Sequence, residues 1–138
     1  MLYFGEINES DEPHGRGIQI NSDNEYYKGE WKDGKRHGQG IQNYPTGDTY
    51  EGQWKGDKRH GHGVYVYDNG AKYEGNWKDG IMHGNGVYTY KDGGRIEGRK
   101  REGQFHGRTF STRSDGSTFT SLWENGEFVF SEEIQSLV

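Results

Sequence analysis

A five-residue motif, Tyr-x-Gly-x-Trp, recurs at a fixed interval: Tyr27-Lys28-Gly29-Glu30-Trp31, Tyr50-Glu51-Gly52-Gln53-Trp54 and Tyr73-Glu74-Gly75-Asn76-Trp77, each 23 residues after the last. A repeat this strict constrains the fold more than any other feature, because each unit must be one supersecondary element that buries its apolar side against copies of itself. The period outlasts the motif. Ile96-Glu97-Gly98-Arg99-Lys100 and Phe119-Thr120-Ser121-Leu122-Trp123 keep the spacing, as do His37-Gly38, His60-Gly61, His83-Gly84 and His106-Gly107. Tyr3-Phe4-Gly5-Glu6-Ile7 with His14-Gly15 is a forerunner that carries one extra residue.

Turn dipeptides give the unit its local structure. Asp33-Gly34, Gly56-Asp57, Asp79-Gly80, Glu102-Gly103 and Asn125-Gly126 alternate with Thr46-Gly47, Asn69-Gly70, Asp92-Gly93 and Asp115-Gly116, and Ser10-Asp11 and Asp23-Asn24 extend the series backwards. Such pairs supply the positive φ of tight hairpins, and the segments between them have strand length. The expected fold is all-β: a single-layer antiparallel meander of about a dozen short strands, more than an open sheet holds flat, so that it twists or curves. The Tyr, Gly and Trp at i, i+2 and i+4 share one face, and Lys28, Glu30 and their equivalents share the other. An aromatic ladder then substitutes for a two-layer core, with bare glycine between the rings as floor for a neighbouring ring. This explains how a chain only 28% hydrophobic folds: 14% of it is aromatic and 24 residues are glycine. A mean hydropathy of -1.24 would otherwise suggest disorder.

The pattern YxGxWxxGxxHGxG at a 23-residue period resembles the MORN repeat, over about residues 3–130. The resemblance implies an elongated, twisted antiparallel sheet with a groove used for protein contacts and, in some members, lipid head groups. It divides the chain into a divergent N-terminal repeat or cap (1–26), four repeats (27–49, 50–72, 73–95, 96–118), and a half-repeat with C-terminal cap (119–138). Lys100 stands where Trp is expected, Ile96 where Tyr, and Thr109 and Ser121 where Gly, so a groove there should be less aromatic. The last residues, Ser131 to Val138, predict a short capping helix with Ser131 as N-cap and Ile134, Leu137 and Val138 on one side.

The chemistry of catalysis is not written in the chain. There is no cysteine, hence no thiol nucleophile and no Cys-based zinc site. His14, His37, His60, His83 and His106 belong to the repeat, and equivalent positions two strands apart are separated by roughly 9–10 Å, too far for one zinc. Their reading is structural, with no metal and no cofactor. Gly29 to Lys35 matches GxxxxGK by accident, since Arg36 follows where magnesium requires Ser or Thr. The carboxylates sit at turns and on polar strand positions.

What remains is binding. The rings of Tyr27, Trp31, Tyr50, Trp54, Tyr73 and Trp77 are expected to stabilise the sheet and to line a partner-binding groove suited to an amphipathic helix or extended segment. A basic rim of Lys32, Lys35, Arg36, Lys55, Lys58 and Arg59, continued by Lys78 and Arg99 to Arg101, offers a second surface for an acidic protein or anionic lipid. Residues 1–26 carry six acids against Arg16, residues 124–138 carry four acids and no base, and sixteen bases face twelve acids between them; this is not the strongly basic face of a nucleic-acid binder. The expected function is a non-catalytic scaffold, the alternative a membrane-associated adaptor using the rim. Unpaired edge strands also offer a route to a homodimer. The start of the chain has neither a basic nor a long apolar segment, which predicts an intracellular location. The resemblance to repeat-only members adds cytoskeleton and the cilium or flagellum, radial-spoke heads being the comparison.

Overall fold

The computed structural model describes residues 1–22 and 24–134. Twelve strands follow one another: β1 (Leu2–Ile7), β2 (Pro13–Ile20), β3 (Tyr26–Lys32), β4 (Lys35–Asn43), β5 (Thr49–Lys55), β6 (Lys58–Val66), β7 (Lys72–Lys78), β8 (Ile81–Thr89), β9 (Arg95–Arg101), β10 (Gln104–Thr112), β11 (Thr118–Glu124) and β12 (Glu127–Glu133). They form one open antiparallel sheet in strict sequence order. The dozen-strand meander expected from turn spacing is the observed fold.

The turns use the predicted chemistry. Asp33, Asp79, Glu102 and Asn125 have φ of 46°, 50°, 52° and 52°, and the following glycines lie between 79° and 86°, so both central residues of each tight hairpin are left-handed. The right-handed twist of the flanking strands selects such turns. The Asp23-Asn24 turn lies partly outside the described residues. The C-terminal expectation fails where it can be checked: Ser131 to Glu133 extend β12 and pair with β11 (Phe119↔Glu133, Ser121↔Ser131), so Ser131 is a strand residue and caps no helix. The exposed edge of β11 offers backbone hydrogen bonds to the next segment, and these outweigh a weak cap signal. Residues 135–138 of that predicted helix lie outside the described residues.

The core occupies one face of the single layer. Tyr27, Trp31, Tyr50, Trp54, Tyr73 and Trp77 form one cluster, each exposing 5% or less of its surface. Each tyrosine lies along its own sheet face over two glycines: a Cβ at Gly40, Gly63 or Gly86 would collide with the ring of Tyr27, Tyr50 or Tyr73. That is why the glycines are there. Each indole donates to the strand before it, Trp31 Nε1 to Gly17 O (3.1 Å), Trp54 to Gly40 O (3.2 Å) and Trp77 to Gly63 O (3.3 Å). The rings interlock edge to face across repeats: Tyr27 meets Trp31 at 4.9 Å and Trp54 at 5.4 Å, and Tyr50 meets Trp54 at 5.0 Å and Trp77 at 5.4 Å. Burying one such ring contributes about 4–6 kcal/mol, so six of them replace a conventional core.

Candidate interaction surface

The six rings expected to line a groove are brought together, but as the core itself. With at most 5% of its surface open, none offers a partner more than an edge. In addition to the exposed Phe4, Phe110, Phe128 and Phe130, an accessible aromatic surface is formed by a second file of rings nearer the longer turns. Tyr44 stacks on Tyr65 (5.9 Å), Tyr65 meets Tyr67 (4.8 Å), Tyr67 meets Tyr88 (5.9 Å), and Tyr88 meets Tyr90 (4.8 Å). Tyr44, Tyr65, Tyr67 and Tyr88 are half-buried against the core, and Tyr90 is 50% exposed. The sequence reading missed this file although its signal was present: Tyr44, Tyr67 and Tyr90 recur every 23 residues, as do Tyr65 and Tyr88. Burial raises the phenol pKa of Tyr65, and its hydrogen bond to Asp48 Oδ2 (2.7 Å) and the Asp48 charge act in the same direction. That bond fixes the ring over the sheet.

At its far end the file opens into a cavity of about 470 Å3, bounded by Tyr90, Ile96, Phe119, Trp123 and Phe128, with Arg113 among its polar lining. The cavity lies where the motif decays. Ile96, short where the other repeats have Tyr, leaves room that Thr109 only partly fills; both are buried, at 7% and 0% exposure. Lys100 replaces the indole that would have packed on Tyr73; its Nζ lies 5.6 Å from that ring and 3.8 Å from Phe105, and burial lowers its pKa. Trp123 is only half-buried, its Nε1 donating to Thr109 Oγ1 at 3.0 Å where its equivalents donate to a glycine carbonyl. Arg113 lies over Phe119 at 4.1 Å.

The basic rim divides in two. Lys32, Lys35, Lys55 and Lys58 are exposed at the tight turns, as expected. Arg36 and Arg59 belong to the aromatic face instead: Arg36 lies 4.5 Å from the Trp54 ring and Arg59 4.6 Å from that of Trp77. The register explains this, because Trp31 pairs with Arg36 and Trp54 with Arg59, and directly paired residues share a face. Both guanidiniums are also tied to the next tight turn, Arg36 to Asp57 Oδ1 (3.1 Å) and Asp57 O (2.8 Å), and Arg59 to Gly80 O (2.9 Å). They are structural cations. Among the described residues no three His, Asp or Glu side chains gather as metal ligands. His14 Nδ1 instead accepts the Asp33 amide at 3.2 Å.

An open ladder of hairpins in strict sequence order, with an aromatic core on one face and a cavity at its far end, defines a β-hairpin repeat module. The MORN repeat model matches residues 27–49, 50–72 and 73–95, and the chain belongs to that family, a non-enzymatic repeat scaffold typically engaged in protein or membrane interaction. Comparison with curated proteins gives no match. The antiparallel strand order continues through β9 to β12, past the matched residues.

Proposed function

We propose that this protein is a non-catalytic scaffold that holds an extended segment of a partner protein along its outer tyrosine file, with one apolar side chain of that segment seated in the end cavity. The observation that carries the reading is the continuity of Tyr65, Tyr67, Tyr88 and Tyr90 with a cavity of about 470 Å3 to which Ile96, Phe119, Trp123 and Phe128 contribute apolar walls. Exposed aromatic surface beside a pocket is the usual anchor for a protein ligand. A strand-like segment crossing the file would meet the Tyr65–Tyr67 pair on one hairpin and the Tyr88–Tyr90 pair on the next. The assembly would be intracellular and, by family analogy, cytoskeletal or ciliary.

The test is cross-linking and mass spectrometry on complexes recovered from the native cell, with the unaltered chain and with Tyr67→Ser/Tyr90→Ser. A stoichiometric partner that cross-links near the file and is lost from the double variant, with its melting transition retained, is the expected result. Partner recovery unchanged in a folded double variant overturns the reading.

A second reading rests on the four exposed rim lysines, none of which lies within ion-pair distance of a carboxylate among the described residues. They would bind anionic vesicles weakly, about 1 kcal/mol per lysine, and release them as salt is raised. Vesicle binding indifferent to salt excludes it.

A further inference from the structure

Each of the first five hairpins carries a glycine in the left-handed region on its second strand: Gly15 (φ 87°), Gly38 (63°), Gly61 (78°), Gly84 (73°) and Gly107 (78°). In three of them a side chain from the preceding strand caps the amide that follows. Arg16 N donates to Glu6 Oε2 (2.5 Å), Gln39 N to Glu30 Oε2 (2.5 Å) and His62 N to Gln53 Oε1 (3.1 Å). The capping oxygen fills the space in front of the glycine, where an added Cβ would strike it.

The capping position changes along the chain: Glu30, Gln53, Asn76, Arg99. Asn76 is one methylene too short, and its Nδ2 stops 3.5 Å from the Cβ position of Gly84. Arg99 has no acceptor atom at all. In front of Gly107 nothing lies within 4 Å. The bulge amide of Arg108 therefore faces an empty cradle, and the residue at the capping position of the preceding strand is a cation. Beside it, His83, Arg99, Lys100, Arg101 and His106 line a recess of about 290 Å3. Residues 95–113 hold six bases (Arg95, Arg99, Lys100, Arg101, Arg108, Arg113) against Glu97 and Glu102, and none of the six is ion-paired among the described residues.

We propose that this fourth bulge is an oxyanion site that takes a carboxylate from an acidic segment of a partner protein. The incoming oxygen occupies the place that Glu6 and Glu30 fill from within, accepting from the Arg108 amide and from the Arg99 guanidinium. A carboxylate is the ligand because the same backbone geometry already holds one twice in this chain. A backbone amide and a guanidinium converging on one carboxylate form charge-assisted hydrogen bonds, the stronger kind. The site lies off the aromatic face, since the capping residue alternates with the Gly and Trp positions along its strand.

The test is amide-resolved NMR of the full chain titrated with a blocked tetraglutamate peptide, with tetraglutamine as control. Tetraglutamate should move the Arg108 amide and the Arg99 Nε–H saturably, and tetraglutamine should not. Arg99→Gln, which restores the cap that Gln53 provides, should shift the Arg108 amide before any peptide is added and weaken binding about tenfold or more. Arg99→Lys, which keeps the charge and leaves the cradle open, should stay within a few-fold of the parent. An Arg108 amide that does not respond, an equal response in Arg99→Gln, or shifts spread evenly over the Lys32, Lys35, Lys55 and Lys58 turns would each overturn the proposal. A response to inorganic phosphate without one to tetraglutamate would overturn the carboxylate assignment.

Discussion

Restoring the lost tyrosine at position 96 should succeed only if the glycine beneath it is restored as well. In the regular repeats the Tyr ring lies where a Cβ on the opposing strand would be, and Gly40, Gly63 and Gly86 leave that space empty. In the fourth repeat Thr109 stands at the glycine position that a tyrosine ring at 96 would overlie; it pairs with and packs onto Gly98 and is fully buried. Ile96→Tyr alone drives the new phenol into the Thr109 side chain, an overpacking that costs about 1–3 kcal/mol. Thr109→Gly alone strips two buried carbons, about 1.6 kcal/mol at 0.8 per carbon. It also removes the hydroxyl that accepts from Trp123 Nε1, about 1 kcal/mol more, and adds chain freedom in a strand. Its total is about 3 kcal/mol. The double variant rebuilds the regular arrangement, with the ring over glycine, an edge contact to Trp123, and the indole free to use the backbone carbonyl as Trp54 and Trp77 do. It should lie within about 1 kcal/mol of the parent, so the pair should be coupled by at least about 2 kcal/mol in the favourable direction. Equilibrium urea unfolding followed by tryptophan fluorescence measures all four corners of the cycle. Additivity within about 0.5 kcal/mol would show that Ile96 and Thr109 are independent changes and refute the packing account.

Trp54→Ala removes a ring with two edge contacts and an indole hydrogen bond, and should cost about 3–5 kcal/mol, seen as a large fall in melting temperature. Arg59→Ala should cost about 1–2 kcal/mol through its lost cation–π and carbonyl contacts, while neighbouring Lys58→Ala stays within about 0.5 kcal/mol; equal effects would return Arg59 to the solvated rim. Lys100→Trp should stabilise the sheet by about 1–2 kcal/mol by giving Tyr73 the edge partner that Tyr27 and Tyr50 have, measured by the same urea unfolding. Burial raises the Tyr73 phenol from 10.0 to about 12, and burial likewise raises Tyr27 and Tyr50. The folded state holds these protons more tightly than the unfolded chain, so their contribution is complete below pH 10 and is lost as pH rises through 12. Urea midpoints should fall across that window, and a flat profile would contradict the burial of the ring hydroxyls.

Most of the fold was legible because its signals repeat. A Tyr-x-Gly-x-Trp strand and an Asp-Gly turn are each weak evidence, but copies at one interval force the same reading on every unit, and the sheet order follows. The site was less legible for two physical reasons. Alternation along a strand says that Tyr27 and Trp31 share a face but not how far neighbouring rings will cover them, so rings destined for the core looked like a groove. Cross-strand register, which a sequence does not display directly, decides that Arg36 lies on Trp54 and not in the rim. The capping helix was misread because Ser131 followed by two acids is a local signal, and the edge of β11 is a nearby competitor.

Under the proposed function, what would place a partner is how the repeats differ. A ladder in which every hairpin were identical would present the same surface at each step and could not fix a ligand's register along its axis. In this chain the changes at Asn76, Ile96, Arg99, Lys100, Thr109 and Ser121 crowd into the third, fourth and last units, while the first and second full repeats keep rings over glycines and oxygen caps over bulges. On one face these changes open a cavity beside Trp123; on the other they trade a built-in oxygen for an arginine. Ile96 and Lys100 give up aromatic packing and Asn76 and Arg99 give up an oxygen cap, whereas Thr109 and Ser121 add buried side chains; the two vacancies left are chemically distinct, one apolar and one cationic. Under the proposed function the regular repeats would act as the rigid ruler, and the irregular ones would set where along it a partner stops.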